Sequence, residues 1–278
     1  MSDPHAAAAA PASDVAVADR LARVHGPGEL RAVLLALLLP PGSKRALRAW
    51  QIEVGKLAGA EALCAHATSL SGASRLPWFE LLLARMAAQP LAARKELLLA
   101  ARRLMESRGV ARPIDRLHWL TLRRGLGEAA PLAARPEAHP DEVEWLESDI
   151  GSVAAYTAFL SRMVPGDVAD APQGDAWYRA VMASFPGFEI PARQPPKAAA
   201  MVETLERLQT LSWMQRPVVI RTWVATALAQ SRFSRLTDLS ADALRMTCAL
   251  LDSPQPPELA RHYIALATDG SALPGAAA

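Results

Sequence analysis

Residues 76–126 and 205–252 carry one pattern twice. Each has an apolar helix, a break, an arginine near the start of a longer apolar helix, a short polar turn and a further helix. In the first copy Leu76, Phe79, Leu83 and Met86 fall at i, i+3, i+7 and i+10, the spacing of one buried helical face. Pro90 opens the longer helix at a position where a missing N–H costs nothing. Leu97, Leu98, Ala101, Leu104 and Met105 form its inward side. Gly109 closes it as a left-handed terminal residue, and Pro113 starts the next helix with Leu117, Leu120 and Leu126. A chain built this way is expected to be an all-α array with two related units and about a dozen helices.

Composition agrees with that class. Hydrophobic residues make up 51% of the 278 but aromatics only 5%. Ala and Leu therefore carry the packing, and both are strong helix formers. No stretch alternates with a period of two. The length suffices for one large helical domain or two small ones.

Elsewhere along the chain, Gly28–Leu39 reads as a first helix stopped by Pro40-Pro41. Ser43 caps a second helix to about Lys56, with Leu47, Trp50 and Val54 on one stripe, and Leu57–Leu70 is a third. Asp141 is expected to cap a long helix to about Met163, with Leu146, Ile150, Val153 and Leu160 inward. Shorter helices are expected around 177–183 and at about 196–210, 213–230, 240–252 and 256–267. Residues 1–13 and 269–278 read as disordered tails, and 128–140 as a Pro/Ala-rich linker between units at 14–127 and 141–268.

A net charge of +2 gives no argument for a nucleic-acid partner. The start of the chain has neither the basic flank nor the apolar core of a signal peptide. The apolar run Leu30–Leu39 is about half of the roughly 20 residues needed to span a bilayer. It reads as a core helix, and the expected location is cytoplasmic, with the inner-membrane surface as a place of peripheral attachment.

Candidate chemistry is sparse. Cys64 and Cys248 form no CxxC pair and read as buried thiols. Cys64 and His66, two apart on a helix, diverge in direction. Ser71-Gly72-Ala73-Ser74 is too short for a phosphate loop. The acidic run Glu137, Asp141, Glu142, Glu144, Glu147 and Asp149 fits a helix start, where the macrodipole favours carboxylates. The seven Trp residues are spread over the helices as packing residues. No cofactor or metal is expected. The basic segment 94–124 supplies the candidate interaction surface: Arg94, Arg102, Arg103, Arg108, Arg112, Arg116, Arg123 and Arg124. Arginines on the outer faces of Leu/Ala helices are ordinarily a solvated surface. As a docking face they would suit anionic lipid headgroups, RNA or an acidic partner, RNA being disfavoured by the lack of interleaved aromatics.

Three blocks carry a resemblance: 30–57, 75–109 and 205–257, with Arg75–Pro77, Arg94, Gln215-Arg216-Pro217 and Asp252–Pro257 as its most distinctive parts. In order and spacing they resemble the cytoplasmic C-terminal helical region of bacterial HtpX-like membrane zinc peptidases, itself similar to a tandem of TerB-like units. The resemblance implies a duplicated helical scaffold that works by interaction, in a stress response or beside a membrane peptidase. It carries no peptidase chemistry. The HExxH motif, two zinc-binding His one turn apart with a Glu base, does not occur: His118 is followed by Trp-Leu-Thr-Leu and His262 by Tyr-Ile-Ala-Leu. Where TerB-like units keep an acidic turn, this chain has Ser107-Arg108-Gly109 and Gln230-Ser231-Arg232. The expectation is a non-catalytic interaction or regulatory module.

Overall fold

The computed structural model describes residues 14–55, 57–127, 145–166 and 169–264. The expected tails and the linker lie outside these residues. Thirteen α-helices and one short 3-10 turn make up the regular structure, and no strand occurs among the described residues.

Two helices are buried nearly all round, as a helix without a polar face must be. The first is α2 (Pro27–Leu37), which starts on Pro27 and ends before the Pro40-Pro41 pair. Leu30, Leu34 and Leu35 are completely inaccessible, each stabilising the fold by about 1.5–3 kcal/mol. The membrane-like run is thus a core helix, and no described helix is long and apolar enough to cross a membrane. Around α2 pack α3 (Lys44–Val54), α4 (Ala60–Ser69), α5 (Gly72–Ala87) and α6 (Leu91–Glu106). Ser43 caps α3 as expected, its hydroxyl accepting from the Ala46 amide at 3.2 Å.

The second buried helix is α8 (Glu147–Leu160), packed against α9 (Gln173–Met182) and α10 (Ala198–Thr210). Buried aromatics tie it to α11 (Gln215–Gln230) and α12 (Asp238–Leu250). The Trp223 indole donates to Thr157 at 2.8 Å, Trp177 donates to the Trp223 carbonyl at 3.3 Å, and the Tyr156 hydroxyl meets that of Thr247 at 3.1 Å. Each buried polar tip has a partner, so these rings bury their large apolar area without a desolvation penalty.

The halves meet where α7 (Pro113–Gly125) lies along α12, and the last helix, α13 (Pro257–Ile264), packs on α5 and α12. One continuous apolar core runs through residues of both halves.

Leu47 and Leu146, expected on the inward stripes of their helices, are instead 40% and 58% exposed, and two elements also differ in extent from the sequence reading. Residues Asp14–Ala22 form a helix, α1, whose Val17 and Leu21 are buried against the core. Its Ala-rich start hid the i, i+4 pair. The long helix expected from Asp141 begins at Glu147 instead, with residues 141–144 outside the described range. Leu146 is extended, and its amide donates to the Asp149 carboxylate at 3.2 Å, so Asp149 rather than Asp141 marks the helix start.

Candidate functional site: an arginine network

The arginine near the start of each longer helix makes the same bond in both halves. Arg94 Nη1 donates to the carbonyl of Leu126, the residue that ends α7, at 3.1 Å. Arg216 Nη1 donates to the carbonyl of Leu251, the residue that ends α12, at 2.6 Å. The next residue has positive φ in both places, 76° at Gly127 and 49° at Asp252, which turns the chain away and leaves the carbonyl free to accept. A cation at a helix C-terminus also meets the negative end of the macrodipole. The repeated pattern in the sequence is therefore a repeated clasp in space.

The rest of the basic segment is also largely engaged within the chain. Arg108, with its side chain only 7% exposed, donates to Asp115 at 2.7 Å and to the Leu38 carbonyl at 2.6 Å. Arg112 donates to the same carboxylate at 2.6 Å. Burial alone would raise the Asp115 carboxyl; the two guanidiniums outweigh it and hold the group below the usual carboxylate range. Removing Asp115 would strand Arg108, and breaking such a buried pair costs about 3–5 kcal/mol. Arg103 forks onto Glu53 of α3, Arg102 pairs with Glu106 one turn on, and Arg116 reaches the Pro196 carbonyl. Arg124 bonds the Leu250 carbonyl and Asp252, cross-tying the ends of α7 and α12. Of the eight arginines, only Arg123 has no such bond among the described residues. The fold brings Arg108 and Arg112 together on Asp115 and distributes the others over separate seams.

A polar cluster that the sequence reading did not find lies where α5, α12 and α13 meet. Arg245 forks onto Glu80 at 2.6–3.1 Å and stacks over the Tyr263 ring, 4.4 Å from its centroid. The Tyr263 hydroxyl donates to Asp242 at 3.0 Å, and His262 meets Asp238 at 3.1 Å. Protein packed around Asp242 pushes its carboxyl up to about 8, against the opposing pull of the Tyr263 hydrogen bond. The signal was present in the charged pair Asp242 and Arg245, spaced i, i+3 on a mostly apolar helix. Charge in 94–124 is denser still.

The remaining candidates resolve simply. Cys64 and Cys248 are buried, and burial raises both thiols, Cys248 to about 12, away from nucleophilic reactivity. His66 Nδ1 is bonded to the Ala62 carbonyl of its own helix. Residues Ser71–Ser74 are the start of α5, packed so closely on α12 that a Cβ at Gly72 would overlap the Asp238 carboxylate. His118 stacks edge-on with Phe79 at 5.4 Å. Its buried Nδ1 has no hydrogen-bond partner, and burial lowers the ring to about 4. Among the described residues no group of three His, Cys, Asp or Glu could hold a metal ion. No protein family, curated protein or solved structure matches the chain.

Proposed function

We propose that this chain is a non-catalytic helical scaffold that acts by holding a protein partner. The observation that carries the reading is a group of exposed apolar residues at the start of α11. Trp213 is 66% exposed, and Met214 and Val218 stand exposed within the same turn and a half. Tryptophan and methionine are enriched in the cores of protein interfaces and depleted from idle surface. The bonding of the arginines and of the Asp242 cluster supports the same view, since these polar groups face each other and backbone carbonyls rather than an enclosed cavity.

In build, the chain belongs in this proposal beside the tandem TerB-like region of HtpX-like membrane zinc peptidases. The partner class is then a cytoplasmic protein, or the cytoplasmic part of a membrane peptidase, that presents an apolar surface. The test is a photo-crosslinking residue placed at Val218 in cells. A discrete crosslinked protein that disappears when Trp213→Ala is added supports the reading. Crosslinking that ignores Trp213, or none at all, overturns it.

A further inference from the structure

Cations with no bond among the described residues occur in several places, Arg123 among them, but three of them stand within five residues of one another on α3. Lys44, Arg45 and Arg48 are all exposed, and none has a hydrogen-bond or ion-pair partner among the described residues. They line an open depression of about 640 Å³ together with Ala49, Ile52 and Ser107, the last at the end of α6. Glu53 of α3 and Glu106 of α6 are each paired already, the first with Arg103 and the second with Arg102. The first turn of α3 has no acidic residue. The positive end of the helix therefore adds to the cations.

Apolar side chains border this charge. Ile52 is 79% exposed and Val110 85% exposed, two of the most exposed large apolar residues of the described chain, and Leu47 is exposed on the same helix. Val110 follows Gly109, where an added Cβ would stand 4.0 Å from Arg45 Nη1, so the backbone next to Val110 lies close to the cations. Exposed aliphatic side chains beside unpaired cations make a poor seat for nucleic acid, since no aromatic face is offered for stacking. They suit a lipid interface. There the cations meet phosphate headgroups while the tips enter the acyl boundary.

We propose that the face formed by α3 and the end of α6 docks on an anionic phospholipid surface. This inference does not rest on the α11 patch, which involves other residues. The experiment is flotation of the full chain with phosphatidylcholine vesicles, with and without about one-third phosphatidylglycerol. Binding is expected to the anionic vesicles only and to weaken with salt. The triple variant Lys44→Glu, Arg45→Glu, Arg48→Glu should lose at least about a hundredfold in partition, since each basic residue removed is worth about 1 kcal/mol and each acid added is repelled. Ile52→Asp with Val110→Asp, which leaves the cations in place, should lose about tenfold. Circular dichroism keeps the comparison to folded protein, and all five residues are exposed, so the variants should match the parent in helicity. Equal binding to both kinds of vesicle overturns the proposal. So does failure of the parent chain to float, an outcome that would leave the charged face to an acidic protein.

Discussion

Arg216 and Leu251, 35 residues apart in sequence, are joined by a 2.6 Å hydrogen bond that ties the start of one helix to the end of the next. The same tie in the other half, Arg94 to Leu126, is longer and more exposed. Both clasps satisfy a terminal carbonyl, but the Arg216 guanidinium is nearly fully buried. Arg216→Met should therefore cost about 2–4 kcal/mol and Arg94→Met about 1 kcal/mol, because the penalty for an orphaned group grows with its burial. Urea titrations of the two variants check this. Equal costs would contradict the assigned difference in burial.

Two groups set opposing pH trends. His118 is lowered to about 4 in the fold, so its contribution is intact above its ordinary value near 6.5. It is lost as pH falls from there toward 4. Asp242 is raised to about 8, so its contribution is full below the ordinary carboxylate range and is lost as pH rises through 8. Each slope is at most about 1.4 kcal/mol per pH unit. Between about pH 4 and 6.5 the two slopes cancel, and from 6.5 to 8 only the Asp242 loss remains. The groups facing Asp242 are Tyr263, Asp238, Arg245 and Glu80, with Arg75 also close enough to interact. Chemical denaturation over this range should show His118→Phe declining throughout. Asp242→Asn should rise and then level. A parent profile unaffected by Asp242→Asn would show that the carboxyl titrates elsewhere.

Two glycines give a paired test of packing. A Cβ on Gly174 would lie 1.8 Å from the Ser161 carbonyl oxygen, a backbone atom that cannot swing aside. Gly151, on the exposed side of α8, has nothing within 4 Å of the same added atom. Gly174→Ala should cost about 3 kcal/mol or more, whereas Gly151→Ala should stabilise by about 0.5–1 kcal/mol through helix propensity. Thermal melts of the two variants should move in opposite directions.

The helical class and most element positions were legible because 3.6-residue periodicity and proline or glycine stops are local signals. Ser43, Pro113 and Gly109 fall where their chemistry puts them. The missed α1 and the late start of α8 share a cause: short segments whose boundaries depend on one buried pair or one capping carboxylate. The candidate surface was less legible. Sequence counts cations but cannot see that Arg108 reaches Leu38, or Arg124 reaches Leu250, across the fold. Three cations on α3 stand out only once those partners are known. The Asp242 cluster likewise needs α5, α12 and α13 side by side, a tertiary fact that no spacing rule contains.

The burial of α2 has a consequence for synthesis. Leu30–Leu39 leaves the ribosome ahead of the four helices that pack around it. Its covering helices α3 to α6 follow directly, without waiting for α8 onward. The early apolar helix can thus be sheltered while the second half is still being made, which shortens the interval in which it would draw chaperones or aggregate.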